Sequence, residues 1–322
     1  MKKIGIHGFT AVKALYTDGI LARENFEFFG CNDASFDLHD IVQFGALDFL
    51  TDFSSVINRC DYIILGDENQ SPYEFARQAM RKGKPIILLH PFLLNYEEAK
   101  NLSKLSEEAG IEIFCFHTYN LLPVFITGKK QLDNKIVLFR FEHFVPVLSG
   151  SNLKPVMEGI LSQNLALIQD VSKATIRKIS ISHQKIISKV ADSVSIHFEF
   201  DTGLTGDLWL NRMAIEPCRK MTLLQKNRLV EIDFVHSVVK TIDKEKSRSN
   251  PPHALFQEFA EQPVTKLLIG QPALTGPTPL VQFFDSIFPS SKNLPVKTPL
   301  IHDTLAALKL ARHIVDKINR SM

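Results

Sequence analysis

The sequence lacks several features that would assign it to a specialised class of protein. It contains no uninterrupted apolar run of about 18 residues, the length that predicts a membrane-spanning helix. Its four cysteines show no CxxC spacing, so the pattern indicates neither a disulfide framework nor a zinc motif. Internal repeats and low-complexity segments are also missing. These absences favour an ordinary globular protein with free thiols in a reducing compartment.

The chain also lacks an excess of charge of either sign. Its 37 Lys and Arg residues against 35 Asp and Glu residues give a formal net charge of +2, and the basic residues are spread along the chain. We therefore expect neither a nucleic acid nor a membrane surface as a partner. The first residues enter an apolar strand at once, which leaves no room for a signal peptide, so a cytoplasmic location is expected. A chain of 322 residues, 45% hydrophobic, is long enough for two domains.

The first third of the chain alternates short apolar strands with helices. Strands are predicted at 3–7, 26–31, 61–66, 85–89 and 111–116, with helices at 11–23, 72–82 and 96–109. Asn95 before the last of these helices and Gly110 after it fit the capping preferences of helix ends. Strands separated by helices of this length predict βαβ units and a parallel sheet.

After about Pro123 the pattern changes to longer alternating strands. These are predicted at 135–143, 175–187, 193–200, 205–210, 219–225 and 228–234, with helices at 155–169, 280–288 and 302–319. The turn Asp201-Thr202-Gly203 predicts a hairpin. The chain is therefore predicted to form an α/β domain with a parallel sheet over residues 1–122. An α+β domain with an open, mostly antiparallel sheet is predicted over residues 123–322.

The first strand-to-helix turn is a degenerate dinucleotide-binding fingerprint. Of the three glycines that the fingerprint requires, only Gly8 is present, and Thr10 and Lys13 occupy the other two positions. Thr10 places a side chain where the backbone should approach a pyrophosphate, and Lys13 replaces the glycine that lets the helix pack on the strand. The start of the predicted helix still offers N–H groups to an anion, so Gly8, Phe9, Thr10 and Ala11 are candidate cofactor-binding residues. Retained dinucleotide binding and a merely structural turn are both open at this point.

An acidic residue follows the second strand, where dinucleotide-binding proteins hold the ribose. Asp33 lies slightly further from Gly8 than the usual ~20 residues. Because a carboxylate repels the 2′-phosphate of NADP, any bound cofactor is expected to be NAD rather than NADP. The alternative is that Asp33 is only a turn residue.

Several segments together resemble the Gfo/Idh/MocA family of oxidoreductases. They are Asp61 to Asn69, Tyr73-Glu74-Phe75-Ala76, Gly83-Lys84-Pro85, His90-Pro91, Glu97-Glu98-Ala99, Ala109-Gly110 and His117, followed more thinly by 198–203 and 300–318. The resemblance implies an N-terminal Rossmann domain that binds NAD or NADP. It also implies a C-terminal domain whose open sheet carries a small-molecule substrate and mediates oligomer contacts. We expect a homodimer or homotetramer through this sheet, since exposed apolar positions would otherwise form a large patch in water.

The sequence departs from the family pattern at the positions that carry chemistry. His90 stands where the Glu-Lys-Pro signature has its lysine. Asp67-Glu68-Asn69 replaces a Thr-Pro-Asn turn that, in the family, lies against the cofactor, and we count Asp67 and Asn69 among the candidate cofactor-binding residues. Two carboxylates there oppose a pyrophosphate if they face it. In the second domain, Leu161 and Ser162 replace a His and its partner Asp.

Three residues are candidates for acid–base catalysis. His90 and His117 follow neighbouring predicted strands, at the edge where α/β sheets place their ligands. An imidazole with a pKa of about 6.5 is a workable general acid at neutral pH. Tyr119 is a further candidate donor beside His117. A structural or substrate-contacting His90 and a packing Tyr119 are the alternatives, and the sequence offers no third ligand to complete a metal site with the two histidines.

Three functions are compatible with these residues. The first is a divergent NAD(P)-dependent oxidoreductase that acts on a sugar-like or other small hydroxyl or carbonyl substrate, with His90 as proton donor. The second is a non-catalytic relative, a binding or assembly protein that kept the scaffold. The third is a family member that, like biliverdin reductase, manages without the usual lysine. Cofactor binding distinguishes the first from the second, because a fold alone does not fix a function.

Overall fold

The computed structural model describes residues 1–31, 47–50, 52–67, 71–132, 135–146, 153–187, 191–243, 266–268, 277–289 and 298–320. Its strands are β1 (Lys2–His7), β2 (Phe26–Cys31), β3 (Asp48–Leu50), β4 (Tyr62–Leu65), β5 (Ile86–Leu88), β6 (Ile113–Cys115), β7 (Ile136–Pro146), β8 (Ile176–Gln184), β9 (Ser193–Phe200), β10 (Thr205–Ala214), β11 (Cys218–Gln225), β12 (Arg228–Asp233), β13 (Val238–Asp243) and β14 (Lys266–Leu268). Its α-helices are α1 (Phe9–Thr17), α2 (Phe53–Arg59), α3 (Tyr73–Arg81), α4 (Tyr96–Ala109), α5 (Pro123–Lys130), α6 (Leu153–Ser172), α7 (Pro279–Ile287) and α8 (Ile301–Arg320). Two short 3-10 helices span Pro91–Leu93 and Thr118–Leu121.

The first sheet is parallel and has helices on both faces. Its six strands follow the order β3-β2-β1-β4-β5-β6. Ile63 and Leu65 of β4 belong to the core cluster on one face, and Ile64 between them belongs to the cluster on the other. A strand buried on both faces is a continuous apolar run, which is why β4 lacks polar alternation. The predicted Rossmann-type domain with a parallel sheet is confirmed.

Local sequence signals set the ends of several helices in this domain. Asn95 accepts a hydrogen bond from the Glu98 N–H, and the Glu98 carboxylate accepts one from the Asn95 N–H, which forms a capping box before α4. Gly110 ends the same helix in the left-handed conformation, with φ 64°. Helix α1 ends earlier than predicted, at Thr17, because Gly19 turns the chain with φ 68°.

Two elements of the first domain were not predicted, the edge strand β3 and the helix α2 that follows it. β3 has three residues, too few for a hydrophobic period to be recognised, and among the described strands it pairs with β2 alone. Helix α2 has seven residues and begins after Asp52, whose side chain accepts a hydrogen bond from the Ser55 N–H.

The second sheet is open and mostly antiparallel, as predicted. Its eight strands follow the order β14-β13-β12-β11-β7-β10-β9-β8, and among the described strands only β7 and β10 pair in parallel. The β9–β10 hairpin turns at the predicted position, with Gly203 at φ 80°. Strands β13 and β14 and helix α5 were not predicted. Helix α5 packs so closely on β12 that a Cβ at Gly128 would overlap the Ile232 side chain.

The chain folds into two compact units, and each unit is assembled from separate stretches of sequence. One consists of residues 1–121, 157–166 and 277–313, and the other of residues 122–156, 167–276 and 314–322. The first change of unit falls at the predicted boundary near residue 122, but the chain later returns twice to the first unit. A boundary drawn along the sequence misses such returns, because hydrophobic periodicity does not say which core a helix joins. The functional division into residues 1–122 and 123–322 stays a prediction.

The exposed face of the second sheet is more polar than the sequence led us to expect. Cross-strand or neighbouring ion pairs lie on it, namely Arg140–Glu142, His197–Asp207, and Lys220 with Glu231 and Asp233. Apolar side chains stand among them, including Leu138 and Trp209, whose ring meets Phe144 edge-on with 4.8 Å between centroids. The described part of this face is therefore a mixed surface and not one continuous apolar patch.

Candidate functional site

The strand order of the first sheet creates a crevice at the carboxyl ends of β1 and β4. After β1 the chain enters α1, whose buried residues join the core on one face of the sheet. After β4 it continues to α3, whose buried residues join the core on the other face. Open α/β sheets bind ligands where the connections that follow two neighbouring strands run to opposite faces of the sheet. The candidate site therefore lies at the residues that follow these two strands.

Gly8 forms a backbone turn at this crevice that other residues do not fit. Its φ of 101° lies in the region that favours glycine, and a Cβ there would stand 2.7 Å from the Asp67 backbone nitrogen and 2.9 Å from the Gly66 carbonyl carbon. Gly8 is also the residue that caps the start of α1. The first N–H groups of that helix therefore begin at the crevice, where they can donate to an anion.

Helix α1 approaches the sheet through Ala11 and not through the third fingerprint position. A Cβ at Gly66 would lie 2.6 Å from the Ala11 Cβ, and Ala11 is fully buried. Lys13 is exposed. The expectation that Lys13 hinders close packing of helix and strand is therefore wrong, because the small residue at the contact is Ala11. Phe9 and Thr10 are half-buried in the first turn of the helix.

Of the remaining predicted cofactor-binding residues, only Asp67 lies in the described part of the chain. Asp67 is half-buried and its backbone borders the Gly8 turn. Asp33 and Asn69 lie outside the described residues, as does Glu68. Their roles stay predictions from the sequence.

His90 and His117 leave neighbouring strands at equivalent positions. Leu88 of β5 pairs with Cys115 of β6, and each histidine follows its own member of this pair by two residues. The structure thus brings both histidines to one edge of the sheet, as the sequence predicted. His90 is half-buried, and its carbonyl accepts a hydrogen bond of 3.1 Å from the Leu93 N–H, which closes a turn. The first residue inside that turn is Pro91, which is buried.

The side chain of His117 contacts a residue that is distant from it in the sequence. Its side chain is buried, and Nε2 lies 2.9 Å from the Thr304 Oγ1 of helix α8. The ring also lies 5.1 Å from the Phe92 ring, centroid to centroid. Burial raises the pKa of the neighbouring Cys115 thiol to about 12, although a hydrogen bond with Thr304 lowers it. Sequence reasoning missed Thr304, because no local motif links it to His117.

The segment of α6 beside the His90 turn carries no acid or base at the two positions where the family pattern has them. A Cβ at Gly159 would lie 3.5 Å from the Phe92 carbonyl oxygen, which sets the helix against this turn. Leu161 and Ser162 are both buried, and neither side chain transfers a proton readily at neutral pH. Tyr119 is half-buried in the 3-10 helix that follows His117, so it is the other proton donor near this edge.

His7 is a second buried histidine near the crevice, and no sequence pattern pointed to a role for it. It ends β1, is 4% exposed, and its ring lies 3.8 Å from the Phe75 ring and 5.2 Å from the Phe53 ring. The two phenylalanines also contact each other edge-on. This aromatic cluster supports the strand end from which the Gly8 turn departs.

Two further properties of the described residues bear on function. They contain no cluster of three or more His, Cys, Asp or Glu side chains that could hold a metal ion. In the same parts of the chain, no helix has both the length and the apolar character needed to cross a membrane.

Comparison with known proteins connects this site to one family. Residues 5–117 match the sequence model of the Gfo/Idh/MocA family, described as an oxidoreductase family with an NAD-binding Rossmann fold. The uncharacterized oxidoreductase YhhX of Escherichia coli (strain K12) is 24% identical over 90 residues, which cover 27% of this chain and 26% of that protein. The match thus spans about a quarter of the length of this relative.

Solved structures match over nearly the whole chain. A UDP-N-acetylglucosamine 3-dehydrogenase from Acidithiobacillus ferrooxidans has a TM-score of 0.77 at 14% identity and covers 98% of this chain and 97% of its own. A levoglucosan dehydrogenase in complex with NADH has a TM-score of 0.78 at 14% identity, and the match covers 99% of this chain and 97% of that one. At such identities the likeness establishes the fold. Together, these comparisons show that residues 5–117 match the NAD-binding Rossmann domain of the Gfo/Idh/MocA oxidoreductase family in sequence, and that the chain shares its fold with these dehydrogenases.

Proposed function

We propose that the chain is a nicotinamide-dependent oxidoreductase that acts on a hydroxyl or carbonyl group of a sugar-like or other small molecule. The observation that carries this proposal is the Gly8 turn, at which the backbone borders the crevice without a side chain. Two proteins of the same fold are, by name, dehydrogenases of UDP-N-acetylglucosamine and of levoglucosan, which supports a sugar-like substrate.

The residues around Gly8 fit the pyrophosphate of a dinucleotide. The N–H groups at the start of α1 are suited to donate to phosphate oxygens, and the positive end of the helix dipole adds to the attraction. The Thr10 hydroxyl is a further donor in that turn. Asp67 places negative charge beside the same turn, so we propose that the affinity is weak. When bound, the nicotinamide supplies or accepts the hydride.

His90 is our candidate for the group that exchanges a proton with the oxygen of the substrate. It is half-buried at the carboxyl edge of the sheet, whereas His117 is only 6% exposed and contacts Thr304. An acid that serves a substrate must reach it, which favours His90 over His117. Tyr119, also half-buried, is the next candidate.

The alternative proposal is a non-catalytic relative that retains the scaffold for binding or assembly. Buried Leu161 and Ser162 favour it, since they occupy the positions at which the family resemblance implies an acid–base pair. The two proposals differ in whether a nicotinamide cofactor binds.

Titration with NADH and NADPH tests both proposals. We expect weak binding of NADH and weaker binding of NADPH, because the Asp33 carboxylate repels a 2′-phosphate. The readout is cofactor fluorescence or thermal shift, and Asp33→Ser should narrow the difference between the two cofactors. A preference of the unmodified protein for NADPH would show that Asp33 is wrongly assigned. Tight NADH binding would contradict the argument from Thr10 and Asp67, and no binding of either cofactor favours the non-catalytic alternative.

We also propose a homodimer or homotetramer assembled through the exposed face of the second sheet, in the cytoplasm. Trp209, 37% exposed among ion pairs, is the aromatic side chain on this face best suited to anchor a partner. The free thiols of Cys60, Cys115 and Cys218 are in keeping with a reducing compartment.

Light scattering at micromolar concentration is expected to give the mass of a dimer or a tetramer. Trp209→Glu should shift that mass towards the monomer, because it replaces an apolar anchor on the proposed contact face with a charge. Ile215→Glu is the matched control, since Ile215 is exposed in the turn after β10 and not on the sheet face. A monomeric unmodified protein would refute the assembly.

A further inference from the structure

We propose that Thr304 is a positioning residue that fixes the orientation and the tautomer of the His117 ring and, through Phe92, the turn that carries His90. Its consequence for catalysis rests on the proposed function. The state of the His117 ring does not, and it can be measured on the protein without substrate.

Thr304 is rigidly placed by the core of the first sheet. It is fully buried on helix α8, between Ile301 and Leu308, which both belong to the core cluster on one face of that sheet. Residues three and four apart share a helix face, so the same packing that holds Ile301 and Leu308 aims Thr304 at the sheet. The β-branched side chain of a threonine in a helix is limited to about two χ1 rotamers, which restricts the positions of its hydroxyl. That hydroxyl lies 2.9 Å from His117 Nε2.

The second partner of the Thr304 hydroxyl bears on whether Thr304 or His117 is the donor in the hydrogen bond between them. Thr304 also shares a hydrogen bond with Cys115, whose thiol keeps its proton at neutral pH because burial raises its pKa to about 12. A hydroxyl has one proton to donate, and sulfur is a weak acceptor compared with an imidazole nitrogen. The favoured arrangement is therefore a Thr304 hydroxyl that donates to the imidazole Nε2 and not to the sulfur of the neutral thiol. In this arrangement the neutral His117 ring carries its proton on Nδ1.

The fixed ring in turn supports the His90 turn. The Phe92 ring lies against His117 at 5.1 Å between centroids and 35° between planes. Phe92 belongs to the turn that the Leu93 N–H closes on the His90 carbonyl, and buried Pro91 restricts the backbone between them. Rotation of the His117 ring would therefore displace Phe92 and, with it, His90.

Nitrogen-15 NMR of histidine-labelled protein tests the tautomer directly. We expect His117 to show an unprotonated Nε2 and a protonated Nδ1, with its signals assigned by their loss in His117→Gln. Thr304→Val should shift the ring towards the Nε2-protonated form or a mixture, and Thr304→Ser should restore the original state. Thr241→Val is the matched control, since it removes another buried threonine hydroxyl from the second sheet. A protonated Nε2 in the unmodified protein, or an unchanged ring in Thr304→Val, would overturn the inference.

Kinetics then separate positioning from stability. In the active enzyme, Thr304→Val should lower kcat by about 10- to 100-fold, the scale of a misplaced catalytic group. The Kd for the cofactor should stay within a factor of about two, and Thr304→Ser should recover most of the activity. Unchanged kcat in a folded Thr304→Val would refute the link to His90. If Thr304→Val does not fold, the NMR signals of Thr304→Ser and of the unmodified protein still test the assigned tautomer. If no activity exists, the NMR result stands and only the proposed function fails.

Discussion

Replacement of His90 by alanine is expected to lower turnover by about 10²–10⁴, the usual contribution of general acid–base catalysis. The effect should be large because Leu161 and Ser162 do not transfer protons readily, His117 is buried against Thr304, and Tyr119 is the remaining candidate donor. Steady-state kinetics with sugars, cyclitols and small carbonyl compounds, with either nicotinamide cofactor, give the measurement.

Two further variants make this result specific. His90→Lys should keep part of the activity, since it restores the residue that the family resemblance implies at this position. His236→Ala, which removes an exposed histidine from the second sheet, should leave turnover unchanged. Intact turnover in His90→Ala would transfer the role to Tyr119 or His117.

Replacement of Gly8 by alanine is expected to abolish cofactor binding and to destabilise the fold. A non-glycine residue held at φ 101° costs about 1–3 kcal/mol of backbone strain. The new Cβ would also press on backbone atoms of Gly66 and Asp67, and overpacking of this kind adds about 1–3 kcal/mol. Because backbone cannot swing aside as a flexible side chain does, the two loops at the crevice must separate. Chemical denaturation and cofactor titration measure the two effects.

Gly83 and Gly203 provide matched controls for the Gly8 variant. Both have positive φ values, 70° and 80°, but a Cβ at either position would meet no atom within 4 Å. Alanine at these positions should therefore lower the free energy of unfolding only by the cost of backbone strain, roughly 1 kcal/mol. Cofactor binding should stay intact. A Gly8→Ala protein that loses no more stability than Gly83→Ala, and still binds cofactor, would show that the close approach at the crevice is unimportant.

The sequence predicted those elements of the fold that carry a local signal. Helix α4 has a hydrophobic period, an Asn at its start and a Gly at its end, and its bounds were predicted correctly. Strand β4 has an unbroken apolar run. Strand β3 and helix α2 are too short for either kind of signal, and they are held in place by neighbours that only the folded chain supplies.

The residues of the candidate site likewise divide into those that a local sequence signal predicts and those that it does not. The positions of Gly8, His90 and His117 could be predicted because each follows a recognisable strand, and strand ends meet at one edge of a parallel sheet. The contact of Ala11 with Gly66 and the hydrogen bond between Thr304 and His117 join residues distant in sequence. A single sequence without repeats carries no signal for such pairs, and for the same reason Lys13 was wrongly expected to hinder the packing of helix and strand.

The late return of residues 277–313 to the first unit constrains how the chain can fold while the ribosome makes it. Phe283 and Phe284 fill the core on one face of the first sheet, and Ile301 and Leu308 fill the core on the other. None of these side chains exists when residue 121 has been synthesised. At translation rates of about 5–20 residues per second, the nascent Rossmann domain waits about 10–40 s for them. During that interval both faces of its sheet are incompletely covered, so we expect residues 1–121 to expose apolar surface until the later segments are made.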